Sequence, residues 1–244
     1  MNKEKKIQIH HPNGMNYTTC YKPLLCGGES KPISEVVRMD NMQFMAAFPD
    51  NFFDLAIVDP PYGINENGQR NLTGDRPTTK WKNPKSIKYK AFDDSKPPQL
   101  DYWIELERVS KNRVVWGGNY FTEYLPPSKG WIVWNKQADI KEHLSMAELA
   151  WTSFDIKCNM FNYLWAGFKK RHQVERIHPT QKPIDLYRFI LTYYAKQGQK
   201  ILDTHLGSQS SRLAAWEMGF DFYGCEIDKD YFEDGCQRFT NETK

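Results

Sequence analysis

The sequence predicts an α/β chain built on a Rossmann-like, mostly parallel sheet with helices on both faces. Three observations predict it. Short runs of strand length, among them 55–58 (LAIV), 113–116 (RVVW) and 131–134 (WIVW), alternate with longer stretches whose apolar residues recur at helical spacing. The run at Leu55 stops at Asp59-Pro60-Pro61-Tyr62. Proline offers no N–H to a ladder, so Asp59 stands at the carboxyl end of a strand, the edge where open α/β sheets bind ligands. From Lys200 to Asp228 the chain reads strand, small-residue loop, helix, strand, acid. That is the nucleotide-binding βαβ arrangement, with Glu226 placed 23 residues beyond Asp203 to bond ribose hydroxyls.

Size and composition bound the rest. A chain of 244 residues supports one sizeable core and is short for two full domains with linkers. The net charge of +3 announces no polyanion partner, so any basic footprint must be local. Five cysteines without C-x-x-C spacing argue for reduced thiols and against a secreted framework. No run approaches the ~18 apolar residues of a membrane span, and the opening MNKEKK is followed by no apolar segment. A cytoplasmic chain, neither exported nor membrane-bound, is expected.

Taken in order, residues 1–33 read as an N-terminal extension, irregular over about 1–30, and 34–244 as the single folded domain. His10, His11, Cys20 and Cys26 fit zinc spacing poorly, and no metal is expected. Residues 36–39 form a strand that ends at Asp40, which is both a strand-end carboxylate and an N-cap for a helix over 41–48. Residues 64–98 break the pattern. Their lysines and arginines, from Arg70 to Lys96, interleave with Trp81, Tyr89 and Phe92, a texture suited to a nucleic acid backbone. A helix over 100–110 precedes the strand 113–116, after which Gly117-Gly118 either turns the chain or lets backbone approach a ligand. Strands at 131–134 and 147–152 follow, the antiparallel member falling within 130–153. Residues 154–177 are mixed, with one basic cluster at Lys169-Lys170-Arg171-His172. His178-Pro179-Thr180-Gln181-Lys182-Pro183 opens a helix over 184–194, and helices over 212–218 and 229–239 flank the last strand.

The order DPPY, then HPTQKP, then LDTHLGS and CEID resembles the beta-class DNA amino-methyltransferases, a circular permutation in which the target half precedes the cofactor half. The likeness spans roughly residues 34 to 240. It implies a methyltransferase that uses S-adenosyl-L-methionine on double-stranded DNA and is encoded by a prokaryote, phage or mobile element. It leaves open a homodimer and a restriction endonuclease partner. Carried over by position, Asp59, Pro60 and Tyr62 are the working members of the catalytic quartet and Pro61 its scaffold. Asp203, Gly207 and Ser208 belong to the cofactor loop, Glu226 to the ribose and Asp40 to the cofactor's adenine. Thr180 and Lys182 fall beside its methionine part. Asp at the head of the quartet favours adenine N6, with cytosine N4 and a catalytically silent DNA-binding module as the other readings.

Two departures stand out. The family's loop often carries Phe followed by G-x-G, whereas this chain has His205, Gly207 and Gln209, which predicts a loss of cofactor affinity if Gln209 must adopt positive φ. The chain also leaves little room for a separate recognition domain. Site choice is therefore expected from loops, 64–98 foremost.

Overall fold

The computed structural model describes residues 5–10, 16–21, 32–65, 90–137, 145–166, 169–170 and 176–244, with backbone alone at 5–10, 16–21, 166 and 169–170. The strands are β1 (Lys5–His10), β2 (Asn16–Tyr21), β3 (Ser34–Arg38), β4 (Phe53–Val58), β5 (Ser110–Trp116), β6 (Trp131–Asn135), β7 (Ala147–Thr152) and β8 (Asn159–Asn162). They continue with β9 (Trp165–Ala166), β10 (Lys169–Lys170), β11 (Lys200–Asp203) and β12 (Asp221–Glu226). The helices are α1 (Asn41–Ala46), α2 (Leu100–Val109), α3 (Ile184–Tyr194), α4 (Ser210–Glu217) and α5 (Lys229–Glu242).

Ten strands form one sheet in the order β1-β2-β3-β12-β11-β4-β5-β7-β6-β8, and β9 pairs with β10 separately. From β3 to β5 every neighbouring pair is parallel. The expected reversal inside 130–153 is β7, which runs antiparallel to both β5 and β6. The permutation is visible in the order: β11 and β12, from the end of the chain, lie between β3 and β4.

Side-chain alternation builds the two layers. Leu55 and Ile57 of β4 face one side and pack with Leu186 of α3, Ala214 of α4 and Phe232 of α5. Ala56 and Val58 face the other and pack with Phe44 and Met45 of α1 and Leu106 of α2. A strand buried on both faces needs apolar residues at consecutive positions, which is why β4 reads as an unbroken run rather than an alternating one.

Two segments depart from the sequence reading. The arm expected to be irregular holds β1 and β2, an antiparallel pair that extends the sheet through Thr19 opposite Val37 of β3 and adds a second reversed strand. Its cues are Thr18, Thr19, Ile7 and Ile9 either side of Asn13-Gly14, a hairpin dipeptide masked by the surrounding polar residues. Within the mixed stretch 154–177 lies β8, a short strand parallel to β6. Residues 66–89, and with them most of the basic segment, lie outside the described residues, as do His11, Cys26, Arg171 and His172.

Candidate active site

Proline ends β4 and leaves Asp59 at the carboxyl edge of the sheet. Its Oδ1 accepts from the Tyr62 hydroxyl at 2.7 Å and its Oδ2 from Lys182 Nζ at 2.6 Å. The turn that carries Tyr62 is tied down by Asp94, whose Oδ1 accepts from the N–H of Tyr62 at 2.6 Å and of Gly63 at 3.0 Å. Asp94 is buried, and it was missed in the sequence because it sits in a stretch without periodicity. The Tyr62 ring stacks on Tyr120 at 5.0 Å and 20° and meets Phe121 edge-on. Burial and the neighbouring Asp59 push the Tyr62 hydroxyl well up, so it stays a donor.

The close approach at Gly117 is to this ring. Gly117 has φ +67°, and a Cβ there would stand 2.3 Å from Tyr62.

Lys182 does not face the cofactor loop. It crosses to Asp59 and also pairs with Glu148 of β7 at 3.2 Å, and Lys136 closes the row on Glu148 at 2.5 Å. Side-chain exposures of 4 % for Lys182, 21 % for Asp59 and 24 % for Glu148 make this a largely desolvated row. Its ammonium also lies 5.3 Å from the centre of the Trp116 ring. Burial pushes Lys182 down, but Asp59 and Glu148 outweigh it and hold the lysine charged. Burial likewise pushes Glu148 up, yet Lys182 and Lys136 bring it down to about 2. Glu148 is a single charge on β7 and Lys136 a single charge just past the end of β6, with no sequence pattern to link them.

One strand over, β11 delivers Asp203, buried, accepting from the His205 N–H at 2.9 Å and the Ser211 hydroxyl at 2.5 Å. The next strand, β12, delivers Glu226, whose two oxygens accept from the N–H of Gly207 at 2.8 Å and of Asp228 at 2.9 Å. Ile227, between them, is 68 % exposed. Asp40 caps α1 by accepting from Met42 and Gln43 and lies beside Glu226, since Glu226 is in register with Arg38 of β3. Ser208 is buried within the loop, its carbonyl accepting from Arg238 at 2.9 Å. Thr180 turns back on His178, with its hydroxyl 3.0 Å from Nδ1. His178 is the HPTQKP member that stands against the loop: a Cβ on Gly207 would meet its ring at 3.7 Å.

Gln209 does adopt positive φ, +58°, which costs a non-glycine residue about 1 kcal/mol. Its side chain is buried beneath the loop, where the Oε1 accepts from Arg212 and the amide packs on Gly235, a position with no room for a Cβ. The backbone shape a second glycine would give is therefore kept, and the substituent is buried between α4 and α5.

Because β12, β11 and β4 are adjacent and parallel, Glu226, Asp203 and Asp59 share one edge within two strand spacings, about 10 Å. A cavity of about 230 Å³ opens at this edge, lined by Asn41, Pro61, Pro97, Tyr102 and His205 among others. The described end of the basic segment crosses the same rim: Lys90 pairs with Asp228, which caps α5, and with Asp230 in its first turn, and the Tyr231 hydroxyl donates to the Lys90 carbonyl. Among the described residues no group of three His, Cys, Asp or Glu is arranged to hold a metal ion. No helix among them is long and apolar enough to cross a membrane.

Asp203, His178 and His205 are three of the buried groups that bear on pH dependence. Burial pushes Asp203 up to about 7, against the bonds from Ser211 and His205. Burial lowers His178 and His205 to about 4, with the charge of Lys182 adding to it at His178. Between about pH 6.5 and 4 the unfolded chain protonates both histidines while the folded chain protonates Asp203. Unfolding then takes up a net proton at these sites, two minus one, and stability falls as pH drops. Asp203 opposes that fall, because its proton stabilises the fold below about pH 7. In Asp203→Asn the thermal midpoint should therefore fall more steeply across the window than in the wild type. Parallel curves would show that Asp203 does not titrate there.

The comparisons with known proteins agree with this architecture. The DNA methylase family pattern of the N6/N4 type matches residues 83–237, which includes HPTQKP, the Gly207 loop and Glu226 but not Asp59 to Tyr62. Type II methyltransferase M2.DpnII of Streptococcus pneumoniae is 25% identical over 86% of this chain and 90% of its own length. Type II methyltransferase M.BglII of Bacillus subtilis is 23% identical over 86% of this chain and 70% of its own length. Among solved structures, the PvuII DNA methyltransferase, described as cytosine-N4-specific, shares the fold with a TM-score of 0.54 at 11% identity, covering 87% of this chain and 91% of that one. The M1.HpyAVI complex with SAM shares it at 0.52 and 17% identity, over 83% and 98%. Matched along more than half its length, the chain belongs to the N6/N4 DNA methylase family.

Proposed function

We propose that this chain methylates the N6 amine of an adenine flipped out of double-stranded DNA, with S-adenosyl-L-methionine as donor. The observation that carries the reading is the shared edge: a carboxylate gripped by Tyr62 and Lys182 stands two strands from a carboxylate gripped by the Gly207 amide. The residues present fit the donor. Glu226 is positioned for ribose hydroxyls, exposed Ile227 beside it for the adenine face, and the carboxyl edge at Asp40 and Gly207 for the remainder. The M1.HpyAVI complex with SAM, a neighbour in fold, supports the same choice. When bound, the cofactor supplies an activated methyl group on a sulfonium.

The protein's part is alignment. Adenine's amine is a weak nucleophile because its lone pair is delocalised into the ring. Asp59 and the Pro60 carbonyl accept its two N–H bonds and favour a pyramidal nitrogen, and Tyr62 stacks on the extruded ring with the face opposite Tyr120. Lys90 and Lys96, at the described end of the basic segment, lie on the rim where a DNA backbone would pass. In this reading residues 34–244 are the methyltransferase domain, and 1–33 an extension whose β1 and β2 lengthen the sheet. The names of M2.DpnII and M.BglII support a modification role beside a restriction enzyme.

The test is product analysis. Mixed duplex DNA incubated with labelled cofactor and then digested to nucleosides should yield labelled N6-methyl-2′-deoxyadenosine. Label in N4-methyl-2′-deoxycytidine would transfer the mechanism to cytosine. No label in either, together with no detectable cofactor binding by calorimetry, would leave a catalytically silent DNA-binding module.

A further inference from the structure

We infer that Lys182 is a positioning residue for Asp59, held in that role by Glu148 across the sheet. The inference rests on the methyl-transfer reading above and changes the assignment of one residue within it.

Four observations carry it. Lys182 Nζ donates to Asp59 Oδ2 at 2.6 Å and to the Tyr62 hydroxyl at 3.5 Å and forms an ion pair with Glu148 Oε2 at 3.2 Å, so its ammonium is engaged on the target side of the edge. Its side chain is 4 % exposed, so the ion pairs act with little solvent screening. Pro183, directly after it, opens α3, which anchors the lysine's backbone on a packed helix. On the far side Glu148 is itself held by Lys136 at 2.5 Å, and β7 is fixed between β5 and β6.

The consequence is geometric. A carboxylate turns freely about its last bond unless both oxygens are engaged. Here Tyr62 holds Oδ1 and Lys182 holds Oδ2. Each oxygen keeps a further lone pair, so Asp59 can accept an amine N–H without rotating to meet it. Glu148 prevents the lysine from following a substrate out of place, and the cation over Trp116 at 5.3 Å adds a second restraint.

The experiment compares Lys182→Met, Lys182→Arg and Glu148→Gln with the wild type, measuring kcat at saturating cofactor, KM for duplex DNA, and cofactor Kd by calorimetry. Lys182→Met should lose about a hundredfold in kcat, the scale of a reacting group misplaced by about 1 Å, with cofactor Kd within twofold of wild type. Lys182→Arg should recover part of the loss, and Glu148→Gln should lower kcat by less than Lys182→Met does. A Lys182→Met enzyme with normal kcat overturns the proposal. So does one whose defect lies wholly in cofactor Kd, which would place the lysine on the donor.

Removing Lys182 takes a cation from two carboxylates, leaving Asp59 with Tyr62 and Glu148 with Lys136, so that variant's fold is checked by its thermal transition. Should it fail to fold, Glu148→Gln decides, and an unchanged kcat there overturns the proposal. A wild type that transfers no methyl group to duplex DNA overturns the underlying reading and this proposal together. An active wild type with indifferent variants overturns this proposal alone.

Discussion

Asp59→Ala should abolish methyl transfer to DNA while leaving the cofactor Kd within a few-fold of wild type. The substitution removes the acceptor for the target amine, and it also takes one partner from the Tyr62 hydroxyl and one from Lys182. Loss of a single preorganised polar group at a reacting centre costs about 100- to 1,000-fold. Here three contacts go together, and kcat should drop by at least about 1,000-fold. The donor side is built on β11 and β12, whereas Asp59 accepts from Tyr62 and Lys182, neither of which lies on those strands, so cofactor affinity is spared. Lys182 keeps Glu148 as a partner, which limits the loss of stability to less than the roughly 3–5 kcal/mol of a fully broken buried pair. Filter-bound label with mixed duplex DNA, together with calorimetry, checks both halves. Retained transfer would remove Asp59 from the mechanism.

Gly117→Ala should cost about a hundredfold in kcat with little effect on cofactor binding. The new Cβ would lie 2.3 Å from the Tyr62 ring, and neither side has an easy retreat. Gly117 is pinned by its N–H to the Leu149 carbonyl at 2.9 Å. Tyr62 is pinned by its hydroxyl to Asp59 and by its N–H to Asp94. A shift of about 1 Å in the stacking ring is the scale that costs about a hundredfold, and the positive φ adds about 1 kcal/mol of instability. Gly198→Ala is the matched control: φ is +82° and nothing lies within 4 Å of the added carbon, so stability should drop and turnover should not. Equal turnover in the two variants would argue against a fixed Tyr62.

Sequence carried the fold wherever burial is two-sided. The strands β4, β11 and β12 were readable because parallel strands covered on both faces need continuous apolar residues, and the prolines after Asp59 marked the end of β4. The β1–β2 pair and β8 were not, because short polar strands near a sheet edge lack that pressure. Site residues divided along similar lines. Asp59, Asp203 and Glu226 follow from strand ends, since topology alone brings such positions together. The motif fixes where Lys182 lies along the chain and not where its ammonium points, which is decided by Asp59 and by Glu148, 34 residues earlier on β7. Asp94 and Glu148 have no local signal, for their meaning comes from tertiary neighbours. Gln209 looked like a defect and is not one in the backbone, because Gly235 on α5 makes the room it needs.

The strand order also bears on how the molecule is made. A ribosome releases β3 and β4 long before β11 and β12, the two strands that must slide in between them. Until residue 226 has left the exit tunnel, the nascent sheet has a gap at its centre with two apolar strand edges facing it. Closure of the sheet therefore waits for its last two strands, and until then the facing edges of β3 and β4 stay open to pairing with other chains.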